Sequence, residues 1–322
     1  MKRISDIVSE KPWVGWVLFI ATLVAVFLIG LFGATIIERR QEAFITQQVK
    51  PLPEWEPRNE VWGENFPREF ERYQMTAKTD FASKHGGSGK IVVNHIGCQD
   101  CHDPKTMNLR ITRPALAEAW QRRGLDITKA SHQEMRSLVC AQCHVEYYFQ
   151  GEGKYLTFPW DKGFSAEEME AYYDEVGHVD WVHGLSKAPM LKAQHPDYEA
   201  YRTGVHAARG VSCADCHMPY RNEGGVKFTD HHISSPLQNI ANSCGVCHRE
   251  NEETLRQDVY ARQDGIDQLR RLAEDSITKA HIEAKAAWDA GATEEEMKPA
   301  LQLIRQAQQW VNSGTKKDWD RR

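Results

Sequence analysis

The chain has 322 residues, of which 26% are charged, and its formal net charge is −5. This length allows one large or two ordinary domains, and the slightly acidic balance gives no indication of nucleic-acid binding. The mean hydropathy of −0.59 is low enough to favour disorder, but 10 Trp and 10 Tyr residues argue for a packed body.

An apolar stretch near the amino terminus, residues 13–37, contains no charged side chain. A helix of that length spans roughly 37 Å, at about 1.5 Å per residue, which is enough to cross a bilayer. We therefore predict a short cytoplasmic tail over residues 1–12 and an uncleaved transmembrane anchor over residues 13–37. A cleaved signal peptide is the alternative, although the apolar run is long for one and no clear A-x-A site follows it.

Residues 38–90 are polar and contain several prolines, which favours an extended segment that packs onto a body without forming its core. Further along the chain, the hydrophobic spacing predicts two short helices, over residues 116–123 and 132–139.

Two longer helices are predicted at the carboxyl end, over residues 252–290 and 294–311, within a segment of carboxyl-terminal helices that covers residues 251–322. Five residues recur at helical spacing along the first helix and are expected to form one buried stripe: Leu269, Leu272, Ile277, His281 and Ala284. Because no run of alternating strands is present, the predicted fold class is mainly α, with long loops.

The central part of the chain carries a repeated short motif. The stretch Cys140-Ala-Gln-Cys143-His144 has the C-x-x-C-H spacing of c-type haem attachment, in which both thiols bond to the porphyrin and the histidine binds the iron. The motif occurs three more times, at Cys98/Cys101/His102, Cys213/Cys216/His217 and Cys244/Cys247/His248. All 8 cysteines are used in this way, and we predict four covalent haem c groups in a core over residues 91–250.

A zinc ribbon is the alternative, since paired C-x-x-C units also bind zinc, but it does not require a histidine after every second cysteine. Covalent haem attachment also indicates an exported protein. We therefore expect the haem domain on the periplasmic side of a bacterial inner membrane, with the amino terminus inside.

Each six-coordinate haem needs a second axial ligand, which is usually His or Met. Among the histidines outside the motifs, His206 and the pair His231 and His232 are the candidates, because they lie close to the third motif in sequence. Asp230 could orient one of these rings through its second nitrogen. Four other histidines are expected to be solvated: His85, His95, His132 and His178.

Four stretches together resemble the ammonia-forming cytochrome c nitrite reductases. They are Cys140-Ala-Gln-Cys-His-Val-Glu-Tyr-Tyr-Phe149, Met190-Leu-Lys-Ala-Gln-His-Pro196, Cys213-Ala-Asp-Cys-His-Met-Pro219 and Ala284-Lys-Ala-Ala-Trp-Asp-Ala-Gly-Ala-Thr-Glu-Glu-Glu-Met-Lys-Pro299. The resemblance covers roughly residues 50–88 and 91–309. It implies a periplasmic, mostly helical enzyme that reduces nitrite to ammonium with six electrons, forms homodimers with five haems per chain, and receives electrons from a membrane quinol dehydrogenase or another donor.

The resemblance also assigns roles to individual residues. It makes His231 the distal ligand of the Cys98/Cys101 haem and His206 that of the Cys244/Cys247 haem. It implies a calcium site formed by the Glu146 and Gln194 side chains and the Tyr147 and Lys192 carbonyls, an all-oxygen set that suits a hard cation.

The nitrite pocket of the family is matched by Tyr147 and His195. A tyrosine and a histidine can donate protons and hydrogen bonds to a reduced nitrogen–oxygen ligand. Taken alone, Glu146 would be interpreted as a solvated acid and His195 as a turn residue before Pro196.

Two features depart from the family. Its catalytic haem is bound through C-x-x-C-K, and no such motif exists in this sequence, which has only residues 84–90 where that segment is expected. The chain also stops soon after Trp310, before the segment that supplies one distal histidine and much of the dimer helix. The expectation is that the haems at Cys140/Cys143 and Cys213/Cys216 lack a distal ligand, and that both the oligomeric state and nitrite turnover stay open.

Two other functional classes compete with a nitrite reductase. The first is a membrane-anchored tetrahaem electron-transfer protein of the quinol dehydrogenase type, although such proteins are shorter and lack the stretches around Glu146 and Lys192. The second is a haem-binding remnant of an internally deleted gene, which would fold poorly.

Overall fold

The structure, a computed structural model, describes residues 9–43, 50–77 and 96–314. The predictions for residues 1–8, 44–49, 78–95 and 315–322 therefore lie outside the described residues. Helices account for 58% of the chain, against about 30–35% in an average globular protein. The prediction of a mainly α fold is confirmed.

The helices follow one another along the chain with loops of varied length. Their bounds are α1 Pro12–Ala43, α2 Asn59–Asn65, α3 Pro67–Ala77, α4 Cys98–Cys101, α5 Pro114–Arg122, α6 His132–Ala141, α7 Ala166–Glu175, α8 Asp197–Arg202, α9 Val205–Ala208, α10 Cys213–His217, α11 Glu252–Asp289 and α12 Glu294–Gly314. Short 3₁₀ turns occur at Ile127–Lys129, Pro236–Gln238 and Cys244–Val246.

The strands of the described residues form two-stranded sheets between consecutive strands. They are β1 Tyr148–Gln150 with β2 Tyr155–Thr157, β3 Trp181–Val182 with β4 Pro189–Met190, and β5 Tyr220–Glu223 with β6 Val226–Thr229. In the last hairpin Gly224 and Gly225 both have positive φ angles, 58° and 79°. This is the conformation of a type I′ turn, which glycine adopts without steric cost.

The chain divides into two compact units, and α1 belongs to the smaller one. Within α1, residues Pro12–Ile37 have a mean hydropathy of 2.7 over their most apolar window and are long enough to cross a membrane. The hydroxyl groups of Thr22 and Thr35 donate 2.8 Å hydrogen bonds to the carbonyls of Leu18 and Leu31. This internal bonding satisfies the polar groups of the helix without water.

The prediction of an extended segment over residues 38–90 is wrong for much of its described part. Helix α1 continues to Ala43, and α2 and α3 occupy Asn59–Asn65 and Pro67–Ala77. The prolines did not exclude helices, because Pro67 stands at the start of α3, where the missing N–H costs nothing. Trp62 of α2 is fully buried and donates a 2.9 Å hydrogen bond from Nε1 to the Glu56 carbonyl.

The central helices lie close to where the sequence predicted them. Pro114 opens α5, and Ser131 caps α6 by accepting the Glu134 N–H while the Glu134 carboxylate accepts the Ser131 N–H. These two helices contribute much of the largest buried cluster, whose members are Ala115, Leu116, Ala119, Trp120, Leu138, Ala141, Val145, Phe158, Trp160, Met169 and Tyr198. The core therefore lies directly behind the second C-x-x-C-H motif.

The two carboxyl-terminal helices are also found where they were predicted, but the buried stripe on α11 is only half right. Ile277, His281 and Ala284 are buried, whereas Leu269 and Leu272 are each 65% exposed. Helix α11 has 38 residues and α12 has 21. Since α12 turns back directly after α11, it can cover only the carboxyl-terminal part of the longer helix.

Candidate haem-attachment sites and calcium loop

Each C-x-x-C-H motif closes on itself as one helical turn. In the first, second and fourth motifs the backbone N–H of the histidine donates a 2.9 Å hydrogen bond to the carbonyl of the first cysteine. The third motif is helix α10, Cys213–His217. Positions i, i+3 and i+4 share one face of a helix, so the turn presents both thiols and the imidazole on the same side. The eight cysteines form no disulfide.

The fourth motif differs from the other three in the burial of its second cysteine. Cys247 is exposed, whereas the other seven cysteines are partly buried. The physical reason is local: the turn at Cys244–Val246 is a 3₁₀ turn that ends at Cys247, and Val246 beside it is 67% exposed. The protein itself therefore does not enclose this thiol, and the attachment of haem at Cys247 stays a prediction from the motif alone.

The second motif is bonded directly to the first through Gln142, which is buried. Its Oε1 accepts the backbone N–H groups of Thr112 at 2.7 Å and Arg113 at 3.0 Å, and its Nε2 donates to the Asp100 carbonyl at 3.1 Å. One side chain between Cys140 and Cys143 thus fixes the segment that follows the first motif.

Helix α6, which leads into the second motif, is also bonded to the third. The Cys213 N–H donates to Ser137 Oγ at 3.1 Å. The Asp215 carboxylate accepts from Arg136 at 2.9 Å and from Gln133 at 2.6 Å. Helix α6 therefore fixes the position of the third motif relative to the second.

The cysteine thiols show that consecutive motifs are neighbours in space. Burial raises the pKa of Cys101, and the nearby Cys143 raises it further. The Cys140 thiol lowers the pKa of Cys213. Burial raises the pKa of Cys216, and the nearby Cys244 raises it further. Consecutive motifs therefore have thiols near each other, an arrangement that suits electron passage between haems bound there.

The two pairs of histidines that were each predicted to share one iron have a separation that fits an iron between them. The ring centres of His102 and His231 are 6.1 Å apart, and those of His206 and His248 are 6.3 Å apart. A metal–imidazole bond is about 2.0 Å and the ring centre lies about 1 Å behind the nitrogen, so opposite ligands of one iron have ring centres about 6 Å apart. These separations are compatible with the distal ligands predicted for the first and fourth motifs, which stay predictions, and the residues fit haem c.

The second ring nitrogen of several histidines is held by an acceptor. A histidine whose Nδ1–H donates a hydrogen bond keeps the lone pair of Nε2 for a metal. The Nδ1 contacts are His102 to the Met107 carbonyl at 2.9 Å, His144 to Asp197 Oδ2 at 3.0 Å, His217 to the Ser234 carbonyl at 3.0 Å and His231 to the Thr229 carbonyl at 2.8 Å. The tautomers are assigned from these contacts.

The contacts of Asp230 with the backbone and with Arg72 differ from the predicted contact with a histidine ring, which stays a prediction. The His231 ring is bonded to the Thr229 carbonyl, and the Asp230 carboxylate instead accepts the backbone N–H of His232 at 2.9 Å. The same carboxylate forms a bidentate ion pair with Arg72. A short carboxylate in a turn bonds readily to the N–H two residues on, which explains the bond to His232.

Of the four histidines predicted to be solvated, His132 is exposed and His178 is not. The His178 ring centre lies 4.6 Å from that of Tyr148 and 5.3 Å from that of Tyr173. His85 and His95 lie outside the described residues.

The residues of the predicted calcium loop are brought together. The carboxylate of Glu146, which is buried, accepts the backbone N–H of Gln194 at 2.6 Å and the hydroxyl of Tyr173 at 2.8 Å. The Lys192 N–H donates to Asp180 Oδ2 at 2.8 Å. Glu146 and Tyr147 therefore lie against the 192–194 stretch, as a site made from both segments requires.

A second carboxyl group, Glu199, is buried beside Glu146. Its Oε1 accepts from Trp160 Nε1 at 2.6 Å and from the Glu146 N–H at 2.9 Å, while its Oε2 has no hydrogen-bond partner. Burial raises the pKa of Glu199 to about 8, although the hydrogen bond from Trp160 opposes the change. A divalent cation would stabilise two carboxyl groups that are buried side by side, and Glu199 Oε2 has no hydrogen-bond partner that would compete for it. These residues therefore fit calcium.

The two predicted pocket residues face each other. The Tyr147 and His195 rings lie 5.5 Å apart at 60°. The Val145 N–H donates to His195 Nδ1 at 3.2 Å, which places the ring hydrogen on Nε2. His195 lies 6.0 Å from His144, but this tautomer makes it a hydrogen-bond donor and not an iron ligand, in contrast to His231.

Sequence reasoning missed several residues that support the loop. Tyr173 and Glu199 carried no motif, and Asp180 showed only an acid in an aromatic-rich stretch. Arg305 of α12 is buried and donates to Asp174 at 2.9 Å, to the Pro189 carbonyl at 3.1 Å and to the His178 carbonyl at 2.9 Å. The carboxyl-terminal helices thus hold the β3–β4 hairpin that leads into the 192–194 stretch.

Four haem-attachment turns in series, with histidines paired across the first and fourth, define a multihaem c-type cytochrome. Residues 81–315 match the Cytochrome c552 family. This match covers well over half of the chain, and the protein belongs to that family.

Several characterised proteins are similar to this chain. A cytochrome c-552 of Bacteroides thetaiotaomicron is 46% identical over 387 residues, which cover 92% of this chain and 78% of the relative. A cytochrome c-552 of Desulfotalea psychrophila is 49% identical over 242 residues, with 72% and 47% covered.

A similar solved structure is the cytochrome c nitrite reductase of Desulfovibrio desulfuricans ATCC 27774, described with two calcium sites in its catalytic subunit. The TM-score is 0.65 at 40% identity, with 68% of this chain and 50% of that protein covered. The chain thus spans half the length of the solved protein.

Proposed function

We propose that this protein is a periplasmic nitrite reductase that forms ammonium by a six-electron reduction, with α1 as its membrane anchor and a membrane quinol dehydrogenase or a similar donor as its source of electrons. The family membership and the solved nitrite reductase support the reaction class. The single observation that carries the proposal is the Tyr147–His195 pair beside the second attachment turn.

The roles of the chain's own residues follow from their contacts. The haem c groups supply electrons to the bound nitrogen–oxygen substrate. His195, with its hydrogen on Nε2, and Tyr147, through its hydroxyl, donate hydrogen bonds and protons as oxygen leaves the substrate as water. Calcium held by Glu146, Gln194 and the carbonyls of Tyr147 and Lys192 would fix both donors, because each is a loop residue or its direct neighbour.

A second candidate function is electron transfer without nitrite chemistry. It is favoured by one observation: the 322 residues contain no C-x-x-C-K motif. The alignment with the B. thetaiotaomicron relative agrees, since 92% of this chain is about 296 residues while the aligned span is 387, which leaves about 90 positions without a counterpart. The bis-histidine geometry of the first and fourth sites suits a low-spin electron carrier.

One experiment separates the two functions. The holoprotein is purified with its haems, which are counted by intact mass, and nitrite consumption and ammonium formation are measured with a strong reductant. Four haems with ammonium formed support the reductase, and four low-spin haems without turnover support electron transfer. A mass short of four haems indicates a damaged chain and contradicts both.

A pair of variants ties any activity to the pocket. We expect His195→Asn to lower kcat at least about 100-fold, because the proton donor is lost, while His132→Asn, which alters an exposed histidine, leaves it unchanged. Equal activity in both variants would remove His195 from the reaction.

A further inference from the structure

We propose that Arg72 is the positioning residue for His231, so that the Arg72–Asp230 ion pair determines whether the haem at Cys98/Cys101 keeps its sixth ligand. This inference rests on the haem ligation assumed under the proposed function. It adds a residue from a segment that carries no haem motif.

The ion pair is buried and geometrically well formed. Arg72 Nε donates to Asp230 Oδ1 at 2.8 Å, and a terminal nitrogen of the same guanidinium donates to Oδ2 at 2.9 Å. The Asp230 side chain is 3% exposed and that of Arg72 is 22% exposed. A planar guanidinium that binds both carboxylate oxygens fixes the orientation of the carboxylate as well as its position.

Asp230 transmits that orientation to both sides of His231. Its N–H donates to the Pro219 carbonyl at 2.9 Å, and its Oδ1 accepts the N–H of His232 at 2.9 Å. The residues before and after His231 are therefore both held through Asp230. The ring itself is held by the bond from Nδ1 to the Thr229 carbonyl, and its centre lies 6.1 Å from that of His102.

The helix pair that carries Arg72 also contacts the attachment turn of the same haem. Asn59 of α2 accepts the Cys98 N–H at 3.0 Å. Tyr73, next to Arg72 on α3, lies close enough to Cys98 and Cys101 to feel their charges. The proximal and distal sides of one haem are thus both located by α2 and α3, although Arg72 and Asp230 are 158 positions apart in sequence.

Loss of the guanidinium should therefore move His231. A buried carboxylate that loses its bidentate partner turns toward water, and this breaks the bond to the His232 N–H. The iron–nitrogen bond length tolerates little displacement, so a shift of about 1 Å at Nε2 is enough to release the ligand.

The test measures the spin state of the ferric holoprotein by absorption and electron paramagnetic resonance, with haem content checked by intact mass. Arg72→Met and His231→Ala should each convert one haem from low spin to high spin, and added imidazole should restore the low-spin signal in both. The matched control is Arg122→Met, which removes a comparable Arg–Asp pair, to Asp161 at 2.7 Å, and should leave the spin state of every haem as it is in the parent.

The outcomes distinguish this inference from the proposed function. If His231→Ala changes no haem, the ligand assignment fails. If His231→Ala opens a haem and Arg72→Met does not, only the role of Arg72 is overturned. Should Arg72→Met not accumulate, Asp230→Asn decides, since it keeps the shape and the acceptor for His232. One more high-spin haem than in the parent supports the inference, and a spectrum like that of the parent overturns it.

Discussion

The hydroxyl of Tyr173 donates a 2.8 Å hydrogen bond to Glu146 Oε1 inside the protein. Burial raises the pKa of Tyr173 well above its ordinary value, and the charge of Glu146 raises it further. The phenol therefore keeps its proton and acts as a donor to the carboxylate at every working pH. The other oxygen of the same carboxylate accepts the N–H of Gln194 at 2.6 Å, so the calcium loop is closed from two sides.

The first prediction concerns this donor. Tyr173→Phe should lower calcium affinity about 10-fold, because groups that orient a metal ligand typically contribute 10- to 100-fold. Calcium binding is measured by titration of chelator-treated protein. Tyr172→Phe is the control: it lies next in sequence and its hydroxyl pairs with Tyr148 at 2.8 Å. Equal affinities in the two variants would show that Tyr173 does not support the site.

The second prediction concerns the carboxylate itself. Glu146→Ala removes the proposed anionic calcium ligand, so we expect the purified variant to contain little calcium by elemental analysis. Glu152→Ala, at an exposed position on the β1–β2 hairpin, should retain the parent content. Unchanged calcium in Glu146→Ala would place the ion, if one is bound, elsewhere.

The third prediction concerns the link between the first two haem motifs. Gln142→Ala leaves the buried N–H groups of Thr112 and Arg113 without their acceptor, and each unsatisfied group costs about 1–3 kcal/mol. We expect the free energy of unfolding in guanidinium to fall by about 3 kcal/mol. Gln142→Glu keeps the acceptor and should lose less.

The control for that experiment is Gln121→Ala, an exposed glutamine on α5, which should change stability by less than about 0.5 kcal/mol. A similar small loss in Gln142→Ala would mean that water satisfies the two N–H groups and that the motifs are held together by other contacts.

The haem motifs could be predicted from the sequence because each is complete within five positions. The partners of these motifs could not, and neither could their burial, since Cys247 is exposed while the cysteines of identical motifs are partly buried. Arg72 and Asp230 are separated by 158 positions, and nothing near Arg72 in the sequence distinguishes it from any other arginine on a polar helix. The same holds for Tyr173, since either tyrosine of the 172–173 pair could have reached Glu146 until the rotation of α7 was known.

Where the sequence misled, tertiary packing was the reason. The spacing of Leu269 and Leu272 is that of a buried stripe, but burial depends on a covering element, and both leucines are 65% exposed. The prolines of residues 38–90 favoured an extended segment, whereas Pro67 begins α3. For His195 the structure adds to the sequence and does not correct it. Its role was implied only by the resemblance, and its tautomer then follows from one backbone contact.

The last prediction concerns pH. The pKa of Glu199 is raised from an ordinary value of 4.5 to about 8, chiefly by burial. Between these two values the unfolded chain has released the proton while the native protein still holds it, so the native state loses stability as pH rises. Below about pH 4.5 both states are protonated, and above about pH 8 both are ionised, so the contribution is constant outside the window.

Glu199→Gln cannot ionise and should escape this loss. Relative to the parent, its free energy of unfolding should rise by about 1.4 kcal/mol per pH unit between about pH 5 and 8. Denaturant unfolding is followed with calcium chelated, because a cation beside Glu146 would favour the charged form of Glu199. Glu152→Gln should track the parent throughout. The free energies of unfolding of Glu199→Gln and the parent could instead differ by a constant amount over this pH range. That result would show that Glu199 is ionised in the native protein, and that Trp160 Nε1 and the Glu146 N–H together compensate for its burial.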